Sequence, residues 1–159
     1  MKLSDHHLIV SAANTAERAA LELFSLASTV YPANNTQLLG HFTNKSIEQG
    51  ITLGLHARKI IELCHLDDAL ITQQRWVREE SSINRVTKFK YATNRFVHAI
   101  SIRVIFLNSP TKIFGNDVVM SDFVIETNER SSAAIDIFGF AWAYLSQIAP
   151  KLDLNNPRS

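Results

Sequence analysis

Lys90, Asn94 and His98 recur at intervals of four in the segment Phe89-Lys90-Tyr91-Ala92-Thr93-Asn94-Arg95-Phe96-Val97-His98-Ala99. On a helix, that spacing lines them along one face. Measured from Val86, they fall at roughly 40°, 80° and 120° around the axis. This is the flank of an apolar stripe made by Val86, Phe89, Thr93, Phe96, Val97 and Ile100. Of the three, His98 can move a proton near neutral pH without a large shift. Asn94 can orient it or hold a substrate hydroxyl, and Lys90 and Arg95 can meet a phosphate. The set suits RNA cleavage, in which a general base activates a ribose 2′-hydroxyl and cations stabilise the charged phosphorane. The same residues also have a plainer use. A histidine in a last helical turn is favoured by the helix dipole, and Asn94 can simply border the core. On spacing alone, the plainer use carries more weight.

These residues need a helix to position them, and the hydrophobic pattern predicts one from about Ser82 to Ala99. It is the third long helix. The first starts at a Ser4 or Asp5 cap and carries Leu8, Ile9, Ala12, Ala13, Ala16, Ala20, Leu23, Ala27 and Val30 as far as Pro32. Its alanines make a slim face suited to close packing. A second helical region follows Asn34-Asn35-Thr36, with a break expected near Asn44 and a capping box at Ser46 and Gln49. Gly50 and Gly54 share one side of it, where close approach of another backbone is expected. Thr72 to Ser82 reads as a partly helical connection anchored by Trp76 and Val77.

After Ile100 the period falls from 3.6 to 2. Ser101 to Leu107 reads as a strand, Gly115-Asn116-Asp117 as a turn, and Val118 to Thr127 as the returning strand. Ser132 to Ile148 is apolar nearly all round and reads as a final buried helix, ended by Pro150. The fold expected is mainly α: an up-and-down helical bundle with a β-hairpin at about 101–127, then a last apolar helix. One domain is expected over 1–150, with 151–159 as a loose tail.

Totals exclude several functions. A 46% hydrophobic content and 19% charged content provide a core and rule out a disordered chain. The formal charge of +1 gives no global basic field, which leaves a local patch as the route to nucleic acid. Cys64 is the single cysteine, so no internal disulfide forms and a cysteine-rich zinc site is excluded. Among Ile60, Ile61 and Leu63 it is expected to be a small buried hydrophobe. Neither His6-His7 nor His41 with His56 has the partners a metal needs, so no metal and no cofactor are expected. No phosphate-binding glycine loop, dinucleotide fingerprint or nucleophile elbow is present. No apolar run approaches the ~18 residues of a membrane span and no signal-peptide pattern opens the chain. Cytoplasmic residence without membrane association is the default expectation.

The Asn94-Arg95-Phe96-Val97-His98-Ala99 helix end resembles the Asn-basic-apolar-apolar-His-Ala end of HEPN-like bacterial proteins. In those, the helix also passes into a β-hairpin and then an apolar C-terminal helix, so the resemblance covers roughly residues 85–148. It implies a four- or five-helix up-and-down bundle, often a homodimer. It further implies action on RNA or a nucleotide, as a metal-independent ribonuclease of a toxin–antitoxin or phage-defence system or as a non-catalytic binder. The family's catalytic signature is an arginine followed, after four to six residues, by histidine. Upstream of His98 those places hold Thr93, Ala92 and Tyr91, and Lys90 lies one step too far and lacks a guanidinium's two-pronged grip. Arg58 and His65 match the spacing, but about one such match is expected by chance in a chain with this many arginines and histidines.

Three readings follow. In the first, His98 and Asn94 act on RNA, with Lys90, Arg95 and Arg58 as phosphate contacts at a dimer groove. In the second, the chain is a non-enzymatic interaction or accessory module with a protein partner, marked by an exposed apolar patch around Phe138 and Trp142 and no basic cleft. In the third, it binds a small molecule in a closed apolar cavity.

Overall fold

Alanine dictates how closely the first two helices lie. In the computed structural model, which describes residues 3–72, 84–129, 131–152 and 154, helix α1 spans Leu3–Ala27 and helix α2 spans Thr36–Cys64. Ala12, Ala13, Ala16, Ala19, Ala20 and Ala27 of α1 are buried, with Leu53, Ala57, Ile60 and Ile61 of α2 in the same core. α1 begins ahead of Ser4 and Asp5, which therefore lie in its first turn rather than capping it.

The break expected near Asn44 does not occur. α2 runs unbroken for 29 residues, capped by Asn35, whose side chain accepts from the Leu38 N–H, and closed by His65 in the left-handed region. Ser46 lies mid-helix and donates to the Thr43 carbonyl. The expected end of α1 is also shortened, because Val30–Pro32 leaves the helix as strand β1.

The third helix is shorter than its hydrophobic pattern. Asn84–Arg85 forms strand β2, and helix α3 spans Phe89–Val97. The connection around Trp76 and Val77, and the Ser82 start, lie outside the described residues. α3 has Phe89, Ala92, Thr93 and Phe96 on its buried face. Phe89 and Phe96 stack on Phe140 at centroid distances of 4.9 and 5.3 Å, and Phe96 meets Phe123 edge-on at 5.4 Å. Such aromatic pairs add to the burial of the rings themselves.

The hairpin is present, but it is part of a larger sheet. Strand β3 covers Ala99–Asn108 and strand β4 covers Asp117–Thr127, paired antiparallel with bulges near Ile100 and at Ile105/Phe106. β4 is the spine: β1 pairs with its first residues, and strand β5, Ala133–Asp136, pairs with Asp122 to Ile125. β2 joins parallel to β5. Among the described residues the protein is therefore mainly helical but mixed, with four helices and a mixed five-stranded sheet, rather than a pure helical bundle carrying a hairpin. The last apolar element is corrected in the same way. Ala133–Asp136 is strand, Asp136 caps the following helix through the Gly139 N–H, and helix α4, Ile137–Ala143, continues through a π turn at Tyr144–Ile148. Ala133, Ala134 and Ile135 satisfy their backbone on β4, so the apolar run that reads as one helix divides at the capping aspartate. Pro150 lies in a short closing turn, and residues 155–159 of the expected tail lie outside the described residues.

Two glycines on α2 set the position of α3. A β-carbon at Gly50 would lie 2.8 Å from the Phe123 ring, and one at Gly54 would lie 2.7 Å from Cβ of Phe96. The close approach expected at these glycines is made by aromatic side chains of β4 and α3, not by another backbone.

Candidate functional site

One turn beyond Gly54, on the same face of α2, stands Arg58. Opposite it, Tyr91, Asn94 and His98 follow one another at helical intervals along α3, with Arg95 next to Asn94. The register of the hairpin supplies a third wall: Ala99, the residue after His98, pairs with Thr127, which brings Asn128 and Glu129 alongside. These eight residues line one cleft of about 310 Å³.

His98 ends α3. Its backbone N–H is accepted by the carbonyls of Asn94 and Phe96, and its side chain is exposed. Arg58 donates from Nε to Glu62 Oε1 at 2.5 Å, which fixes its stem one turn along the helix. Arg95 donates from Nη1 to the carbonyl of Ser131 at 2.8 Å, tying α3 to the chain just before β5. Asn94 Oδ1 is shielded from water and has no hydrogen-bond partner. An acceptor left in that state costs about 1–3 kcal/mol relative to a satisfied one, and Asn94 belongs to the wall of the cleft. The cleft thus holds two guanidiniums, an imidazole, two amides and one carboxylate.

Of the residues singled out in the sequence, Arg58, Asn94, Arg95 and His98 come together here. Lys90 does not line the cleft; its Nζ lies 3.1 Å from Asp67 Oδ1, beside the loop that leaves α2. His65 is separated from Arg58 as well. It lines a second cleft with His6 and Cys64 at the far end of α2. Arg58 reaches the cleft from α2 and not from the segment upstream of His98. Cys64 is half-buried against the core, and burial raises its thiol pKa, so a small packed hydrophobe describes it. Among the described residues, no three histidine, cysteine or carboxylate side chains are grouped to hold a metal. Nor is any helix among them long and apolar enough to cross a membrane.

Tyr91, Thr127, Asn128 and Glu129 are cleft residues that the sequence reading passes over. Asn128 and Glu129 lie just past the predicted returning strand, and the pairing of Ala99 with Thr127 is a property of register. The signal that could have found them is the tight passage from His98 into β3, since whatever pairs with the start of β3 must flank His98. Elsewhere the buried carboxylates Asp117, Asp122 and Asp136 serve the backbone and the sheet. Asp122 accepts from Ser121 Oγ at 2.6 Å and has Arg85 Nε 3.8 Å away. No family model, curated protein or solved structure matches this chain.

Proposed function

We propose that the cleft between α2, α3 and the end of β4 binds single-stranded RNA and cleaves it without a metal, as in HEPN-like proteins of toxin–antitoxin and phage-defence systems. The observation that carries the reading is the convergence of Arg58 with Asn94, Arg95 and His98, from elements far apart in the chain. His98 takes the proton of a ribose 2′-hydroxyl. The 2′-oxygen then attacks phosphorus, and the bond to the 5′-oxygen breaks. The products are a 2′,3′-cyclic phosphate and a strand whose new 5′-hydroxyl takes its proton from water, and the His98 imidazolium gives up its proton to the hydroxide so formed. Arg58 and Arg95 offset the charge that builds on the phosphorane, and Asn94 takes up a ribose hydroxyl. Homodimerisation belongs to this same reading.

The interaction-module reading asks for an apolar patch without a basic cleft. Trp142 is exposed and Phe138 half-buried, both against Phe24 at 5.9 and 5.0 Å, but the cleft has two arginines, which that reading does not ask for. The small-molecule reading asks for a closed apolar cavity, whereas polar and charged side chains line this one. The test is cleavage of several RNAs by the protein and by a His98→Ala variant matched for folding by circular dichroism. Loss of about 100-fold or more in the variant is the expected result for removal of a general base. Equal cleavage by both would remove His98 from the mechanism, and no cleavage by either would remove catalysis.

A further inference from the structure

Glu129 is out of place in a cleft built for phosphate. It shares the cleft with Arg58 and Arg95, yet among the described residues it forms no ion pair. An ionised carboxylate accepts hydrogen bonds and donates none, and it repels a phosphate. A nucleotide bound here with its phosphate on the arginines must therefore turn another part toward Glu129, and that part must carry N–H or O–H groups.

The bases differ in what they offer. A carboxylate has two oxygens side by side and matches two adjacent donors. Guanine presents such a pair on its pairing edge, N1–H beside the N2 amino group. Adenine and cytosine each set an amino group next to a ring-nitrogen acceptor, and uracil sets its N3–H between two carbonyls. Single-stranded bases are recognised through these edges while stacked on aromatic rings. Tyr91 supplies such a ring: it lines the cleft, is 51% exposed, and has Lys88 Nζ 5.3 Å from its centroid. The cleft volume of about 310 Å³ lies at the small end for ligand sites, which suits one nucleotide rather than a long stretch.

We infer that the cleft selects guanine, with the Glu129 carboxylate accepting from N1–H and the N2 amino group and Tyr91 as the stacking surface. The inference rests on the cleft being the RNA site proposed above. Glu129 is a specificity-determining residue, separate from the proton transfer at His98.

The test is binding of the His98→Ala protein, in which the strand stays intact, to labelled uridine-rich RNAs differing at one central nucleotide: guanosine, inosine, adenosine or uridine. Fluorescence anisotropy is the readout. The guanosine strand is expected to bind about tenfold more tightly than the adenosine and uridine strands. Inosine keeps N1–H but lacks the amino group, so its strand falls between them. Adding Glu129→Gln should erase the preference, so that within this variant the guanosine strand binds no more tightly than the adenosine and uridine strands. Equal binding of all four strands, or a guanosine preference that survives Glu129→Gln, would overturn the inference and leave the RNA site standing. No binding of any strand would overturn both. The same preference is expected in the cleavage positions of the unmutated protein, and cleavage indifferent to the base would also overturn the inference.

Discussion

Gly54 and Phe96 meet so closely that a β-carbon at position 54 would lie 2.7 Å from the β-carbon of Phe96. This contact seats α3 on α2 and brings Arg58, one turn further on, to the face of α3 that carries Asn94 and His98. The obstructing atoms are the Phe96 Cβ and the root of its ring, which cannot swing away without moving α3. Alanine at Gly54 gains roughly 1 kcal/mol of helix propensity and meets an overpacking cost of about 1–3 kcal/mol. Gly54→Ala is therefore expected to lower the thermal midpoint and to impair RNA binding together. Gly40, in the same helix, has nothing within 4 Å of its missing β-carbon. Gly40→Ala is expected to raise stability by about 0.5–1 kcal/mol. Urea unfolding of the two variants measures both signs, and a stabilised Gly54→Ala protein would contradict the packing described.

Arg58 and Lys90 separate the two sets of cations on the molecule. Each makes an exposed ion pair, Arg58 with Glu62 and Lys90 with Asp67, so each alanine variant should cost under about 1 kcal/mol of stability. Their effects on RNA should differ. Arg58→Ala is expected to weaken binding and to reduce the salt dependence by about 0.7 for the lost phosphate contact. Lys90→Ala is expected to leave both nearly unchanged. Titrations at several salt concentrations check this, and an equal loss from the two variants would place the RNA path across the Asp67 side as well.

Much of the architecture was legible in the residues. The alanine face of α1, the Gly50/Gly54 pair, the hairpin and the placing of Asn94 and His98 on one helical face all follow from local periodicity. The limits of that reading are physical. Short apolar runs such as Ala133-Ala134-Ile135 and Val30-Tyr31-Pro32 have no period of their own; whether they are strand or helix depends on whether β4 lies beside them. Lys90 has the right spacing for the site but takes a nearer partner in Asp67. Arg58 and Glu129 enter through tertiary contacts, one through the seating of α3 on Gly54 and the other through the register of Ala99 with Thr127, neither of which has a local signal.

Asp117 organises the tip of the hairpin. It is fully buried, and its carboxylate accepts from the backbone N–H groups of Ile113 and Phe114, while Ser109 N–H donates to its carbonyl at 2.8 Å. Its removal leaves two backbone donors without their acceptor. Asp117→Ala is expected to cost about 1.5–3 kcal/mol, the range for a hydrogen-bonded charged group. Amide exchange at Ile113 and Phe114 should quicken in step. If exchange there stays slow in a variant that is destabilised elsewhere, the tip is held by other contacts.

Alkaline stability should be set by two buried phenols. Burial pushes the Tyr31 hydroxyl up from 10 to about 12, against a smaller lowering from the Thr29 side chain. Its hydroxyl donates to the Leu26 carbonyl at 2.7 Å. Burial raises the Tyr144 pKa further, and the charges of Glu17 and Cys64 add to that rise. A phenol whose folded pKa lies above its unfolded value stabilises fully below pH 10; above it, the unfolded chain gives up the proton first. The Tyr31 contribution, roughly 2–3 kcal/mol for a shift of that size, is then lost as the pH rises from 10 to about 12. Phenolate absorbance from Tyr31 and Tyr144 is expected to appear together with the loss of helical circular dichroism. Tyr31→Phe should lower stability at neutral pH by about 1 kcal/mol through the lost hydrogen bond and flatten the decline between pH 10 and 12. Phenolate formation by these residues while the helical signal stays intact would show that neither ring is shielded as the packing implies.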